Sequence, residues 1–144
     1  MDFGTDAISG YRTFQAEGDS YLKAAYGALK RPEVFTPEIR FNLLGMAIEK
    51  HLMAILMQSG DLPDNHTFHD LTHAMSKVAP LDPADVAFLH RMDDVADLCS
   101  LAATKRRAPD EASLERLLAI AQAARDHADA LLGPIGAMET PTAA

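Results

Sequence analysis

The chain reads as an all-α protein, an up-and-down antiparallel bundle of four to five helices, and three observations predict it. Apolar residues recur at three- or four-residue spacing along most of its length, proline and glycine interrupt that spacing at intervals, and no segment alternates as a half-buried strand would. Short connections force successive helices to run antiparallel. With 144 residues, 48% of them apolar, one core is expected, burying roughly two thirds of the surface the unfolded chain exposes. We therefore expect a single domain over residues 1–133 and a flexible tail over 134–144.

The first helix is expected to be capped by Thr5 and to continue to about Lys30, with Ile8, Tyr11, Phe14, Gly18, Tyr21, Ala25 and Leu29 along one side. Gly10, Gly18 and Gly27 weaken it, each by up to about 1 kcal/mol relative to alanine, so a break is expected as readily as a continuous rod. Thr36-Pro37-Glu38 then supplies an N-cap, a proline at the first helical position and an early carboxylate for a second helix that ends at Ser59-Gly60. This helix is apolar on nearly every side and must be buried on most of them. A polar loop from Asp61 to Asn65 leads into a shorter third helix ending before Pro80, with Leu71, Ala74, Met75 and Val78 inward. Asp82-Pro83 opens a fourth, whose inner face is Val86, Leu89, Met92, Ala96, Cys99 and Ala103 and which stops near Lys105-Arg106-Arg107. The fifth starts between Pro109 and Ser113 and stops at Gly133-Pro134.

Thirteen Lys and Arg stand against twenty-one Asp and Glu, a formal net charge of −8, which argues against wholesale attraction to nucleic acid or anionic membrane. A single cysteine, Cys99, excludes an internal disulfide and a four-cysteine metal site and suits a reducing compartment. The sequence opens without the basic start and apolar core of a signal peptide, and no run of eighteen apolar residues is present to span a bilayer. A cytoplasmic protein that needs no cofactor is the expectation.

The second and third helices resemble the HEPN family of helical bundles. The matching features are Ala47-Ile48-Glu49-Lys50 midway along the buried helix, Gly60, a polar loop containing Pro63, and His69-Asp70-Leu71 opening the next helix. Arg107-Ala108-Pro109 is similar to the Arg-Tyr-Pro that family members often carry between their last two long helices, with the aromatic lost. The resemblance implies a homodimer and one of several roles: a ribonuclease, often a toxin of a toxin–antitoxin pair, a partner of a minimal nucleotidyltransferase, or an appended interaction module. The family's ribonuclease signature, an Arg followed after four to six residues by a His, is missing, because no histidine here has an Arg at that distance upstream. Arg40 and His51 are eleven residues apart, about 16 Å along a helix axis, too far to share one phosphate within a chain. The Gly-Ser and paired-Asp motif of the transferase is also missing, so the chain is expected to be a non-catalytic module for protein interaction or nucleotide and RNA binding. A degenerate ribonuclease site assembled across a homodimer from Arg106, Arg107, His51 or His69 is the first alternative.

Candidate binding residues follow from helical geometry. At about 100° per residue, Arg40, His51 and Gln58 share one stripe of the second helix with Ala47 and Ala54, while Asn42 and Glu49 lie opposite. Small residues in the first stripe admit a close neighbour, which is a subunit interface, a cleft wall or a plain solvent edge. Glu49 and Lys50 match the family pattern, yet Glu49 bonding a neighbouring helix and Lys50 extending to water explain them equally. His66, His69 and His73 would share a face if the helix began by residue 66, and His69 with His73, helped by His51, is a zinc or iron alternative. Against it, His69-Asp70 reads as a helix-opening cap. Arg106 and Arg107 with Lys105 suit the negative end of the fourth helix or an anion. His90, Asp93, Asp94 and Asp97 read as a solvated acidic face.

Overall fold

The computed structural model describes residues 8–101 and 109–136, with the side chains of the fourth helix described as far as residue 94. Its elements are α1 (Tyr11–Ala28), α2 (Pro37–Ser59), α3 (Phe68–Val78), α4 (Pro83–Leu101) and α5 (Glu111–Leu132), and no strand occurs among the described residues. The all-α bundle is as expected. Thr5, Ala103 and Lys105 lie outside the described residues, as do the side chains of Ala96, Asp97 and Cys99.

Helix α2 is the axis around which the rest is arranged, touching α1, α5 and α3. Eleven of its residues are buried, among them Ile48, Leu52, Ile55 and Leu56, which removes its apolar girth from water on almost every side. Its ends obey local chemistry. Thr36 Oγ1 accepts the Ile39 N–H at 3.3 Å, Pro37 occupies the first turn, and Gly60 closes the C-terminus in the left-handed region at φ 79°. Asp110 caps α5 in the same way, accepting the Ser113 N–H at 2.7 Å, and Asp82 caps α4 through the Ala84 N–H at 2.8 Å.

α1 departs from expectation at its start, ends within two residues of Lys30 as expected, and resolves the open question of its middle. It starts at Tyr11, after Gly10 at φ 94° and without a side-chain cap, and it runs unbroken through Gly18 and Gly27. Its buried face includes Gln15 and Leu22, while Leu29 is exposed. Gln15 is wholly buried because its amide bonds the Asp129 carboxylate and the Gly133 carbonyl. Arg12 adds donors to the carbonyls of Leu132, Gly133 and Pro134, so the free carbonyls at the end of α5 are satisfied by α1. Pro134, expected at the start of the tail, is therefore tied to the bundle, and residues 137–144 lie outside the described ones. α4 also buries Phe88 beside Leu89 and Met92, with Arg116 of α5 over the Phe88 ring and ion-paired to Asp85. No helix among the described residues is long and apolar enough to cross a membrane.

Candidate functional site

The two polar stripes of α2 have opposite fates. Of the stripe of Arg40, His51 and Gln58 with Ala47 and Ala54, Ala47, His51 and Ala54 are fully buried, Arg40 is half-buried against α5 and Gln58 at the C-terminal end is exposed, so the small residues admit helices of the same chain. His51 is completely buried, its Nε2 donating to Asp19 of α1 at 2.8 Å. Its ring sits where α1 carries Gly18, and a Cβ there would lie 2.8 Å from it. Arg40 instead forms a two-pronged pair with Glu111 of α5, at 2.7 and 3.2 Å. Neither residue presents a free group to a partner. Lys50 does not extend to water, since its ammonium pairs with Glu17 at 3.0 Å and lies 4.4 Å from the centre of the Phe14 ring.

The stripe of Asn42 and Glu49 forms one wall of an open cleft of about 950 Å³. Phe41, Gly45, Met46 and Phe68 make its apolar floor, and Asn65, His66, Thr67, His69, Asp93 and Asp94 complete the rim. Gly45 belongs there as a small residue, its missing Cβ standing 3.8 Å from the Phe68 ring. His66 lies in the loop before α3, so it does not continue the face of His69 and His73. It reaches back to Glu49 through Nδ1 at 2.8 Å. His69 makes the corresponding bond to Asp93, also through Nδ1 at 2.8 Å. A carboxylate only accepts, so each Nδ1 carries the proton and each Nε2, in the neutral ring, is a bare acceptor without a partner among the described residues.

Asp93 is the residue that sequence reasoning misplaced most. Rather than lying on a solvated face, it accepts the backbone N–H groups of Phe68 at 2.9 Å and His69 at 2.8 Å, while Thr67 accepts that of Asp70 at 3.1 Å. The cap of α3 is thus Thr67 together with a carboxylate from α4, not the side chains of His69 and Asp70. Asp94 and the amides of Asn42 and Asn65 have no side-chain partner among the described residues.

His90 stacks on His69, ring centres 3.7 Å apart, and shares a 2.9 Å bond with Thr72 Oγ1. Burial lowers its pKa below the usual imidazole range, the neighbouring His69 lowers it further, and Asp93 opposes both. The folded chain therefore holds fewer protons at this site than the unfolded chain, and stability rises with pH. Stability contributed here is complete above about pH 6.5 and is lost as the pH falls below it. Urea midpoints at pH 7.5 and 5.5 should differ in that direction, and His90→Gln should narrow the difference; an unchanged difference refutes the assignment.

The zinc or iron alternative meets a geometric objection. His51 is in the core, His69 is on the cleft, and His73 lies in a separate depression with Asp61, Asp64 and Lys77. No group of three or more His, Cys, Asp or Glu suited to a metal ion occurs among the described residues. Arg106 and Arg107 fall outside them. No family model, curated protein or solved structure matches the chain.

Proposed function

We propose that this chain is a non-catalytic binding module of HEPN type, and that the cleft between α2, α3 and α4 is its recognition surface for another protein. The observation that supports this most is the composition of the cleft. Two phenylalanines and Met46 form an apolar floor, and the polar rim contains no Lys or Arg among the described residues. A phosphate would meet Glu49, Asp93 and Asp94 there, with no permanent cation among the described lining residues to offset them. Protein recognition needs only an apolar centre and a polar rim. Of the cations singled out for binding, Arg40 and Lys50 are already neutralised by Glu111 and Glu17. The HEPN resemblance adds a homodimer and a nucleotidyltransferase-type protein as the partner class.

The test uses Asn42→Trp, a substitution at an exposed position that fills the cleft. Co-expression with the product of an adjacent gene should capture that protein with the original chain and lose it with the variant. A single-stranded RNA oligonucleotide at low salt should be neither bound nor cut. Capture by both chains alike, or RNA binding abolished by Asn42→Trp, would overturn the reading. Light scattering at micromolar concentration should give about twice the 15.6 kDa chain mass, and a strict monomer removes the dimer.

A further inference from the structure

We infer that the partner segment received by the cleft is a basic amphipathic helix, presenting arginine or lysine over an apolar stripe. The inference rests on the cleft being the recognition surface. It adds the chemistry of what enters it, and the decisive feature is the imbalance of donors and acceptors. Glu49, Asp93 and Asp94 are acceptors only, and the Nε2 atoms of His66 and His69 are bare acceptors in the neutral rings because both Nδ1 protons are committed to carboxylates. The backbone N–H groups at the start of α3, which would otherwise have offered donors to an anion, are consumed by Asp93 and Thr67. Among the described residues, the uncommitted side-chain donors on this rim are the amides of Asn42 and Asn65 and the single Thr67 hydroxyl proton, fewer than the acceptors they stand among.

Such a surface is complemented by groups that donate and carry positive charge. Arginine, with five N–H donors and no acceptor, satisfies several of these atoms at once, and lysine provides three. The floor of Phe41, Met46 and Phe68 requires that the same segment also bear apolar side chains. Methionine beside aromatic rings adapts to irregular apolar partners, and an amphipathic helix laid into a groove presents apolar and basic residues on adjoining faces. The net charge of −8 favours the approach of such a segment from a distance.

The experiment measures fluorescence anisotropy of labelled peptides with the full chain at low ionic strength. One peptide is built of Leu and Arg at helical spacing, and its counterpart has Glu in place of Arg. The Arg peptide should bind and the Glu peptide should not. Asp94→Lys, at an exposed residue that no described group holds, should weaken the Arg peptide by about tenfold or more. Glu115→Lys, the same charge change on α5 away from the cleft, should leave it within about twofold. Thermal unfolding of each variant confirms that it is folded. Equal weakening by both substitutions would show net charge acting without a site, and equal binding of the two peptides would show an apolar surface indifferent to charge; either overturns the inference. Loss of partner capture in Asn42→Trp together with indifference to Asp94→Lys would preserve the cleft as the interface while rejecting the basic helix.

Discussion

Gly18→Ala is expected to destabilise the protein, and the same substitution is expected to stabilise a chain that lacks His51. In the native bundle the added methyl would sit 2.8 Å from the His51 ring, a distance at which something must move. The ring has little freedom to do so. It is wholly buried, and its Nε2 is bonded to Asp19, so displacement sacrifices both the packing and the hydrogen bond. Overpacking of this kind costs about 1–3 kcal/mol. Opposing it is the better helix propensity of alanine, worth up to about 1 kcal/mol in the middle of α1. The steric term wins while the ring is present. In a His51→Ala background the obstacle is gone and only the propensity gain remains, so the sign reverses. Urea unfolding of the four chains of this cycle measures the effect, and simple additivity would sink the explanation.

That pair also explains which parts of the sequence were legible. The boundaries of α2 were readable because Thr36-Pro37 and Gly60 act through local backbone chemistry that no tertiary contact overrides. The burial of α2 was readable because its apolar residues leave only a narrow face for water. The role of Gly18 was not, since a glycine that weakens a helix and one that makes room for a ring from another helix look identical in one dimension. The structure separates them: Gly27 has open space where a Cβ would be, and Gly18 has His51.

The site was legible as residues and not as an arrangement. Angular placement split the polar residues of α2 into two stripes, which the structure retains. Which stripe faced outward depended on where α1 and α5 pack, and the stripe with alanines was the one they cover. Small residues mark close approach equally well within a chain and between chains. The partners of Glu49 and His69 were beyond reach for a similar reason: His66 lies in a loop 17 residues from Glu49, and Asp93 lies on another helix 24 residues from His69. One signal was available. A carboxylate and an imidazole, His90 and Asp93, follow each other at i and i+3 on α4, adjoining a buried face that holds Leu89 and Met92.

Asp93→Ala is expected to lower stability by about 1–3 kcal/mol, with the loss concentrated at the start of α3. Four N–H groups at a helix N-terminus lack partners within the helix. Here Asp93 takes those of Phe68 and His69, Thr67 Oγ1 takes that of Asp70, and the Thr67 carbonyl takes that of Leu71 at 2.9 Å. Removing the carboxylate strands two donors, one belonging to the buried Phe68, and releases the His69 ring from the Nδ1 hydrogen bond that holds it among the described residues. It also removes a negative charge from the positive end of α3. Asp93→Asn keeps one accepting oxygen and should cost less, which separates loss of the cap from loss of volume. Hydrogen exchange reads the effect residue by residue. Amides of the first turn of α3 should lose protection in Asp93→Ala while those in the middle of α2, around Leu52, stay slow. Uniform loss across both helices would mean that Asp93 supports the whole core and not this junction. Asp93→Ala should also weaken the hold on a basic peptide, because it removes one of the cleft's three carboxylates and loosens His69 and Phe68, which belong to both the cap and the cleft; Asp93→Asn, which removes the charge but keeps an accepting oxygen, separates the two contributions.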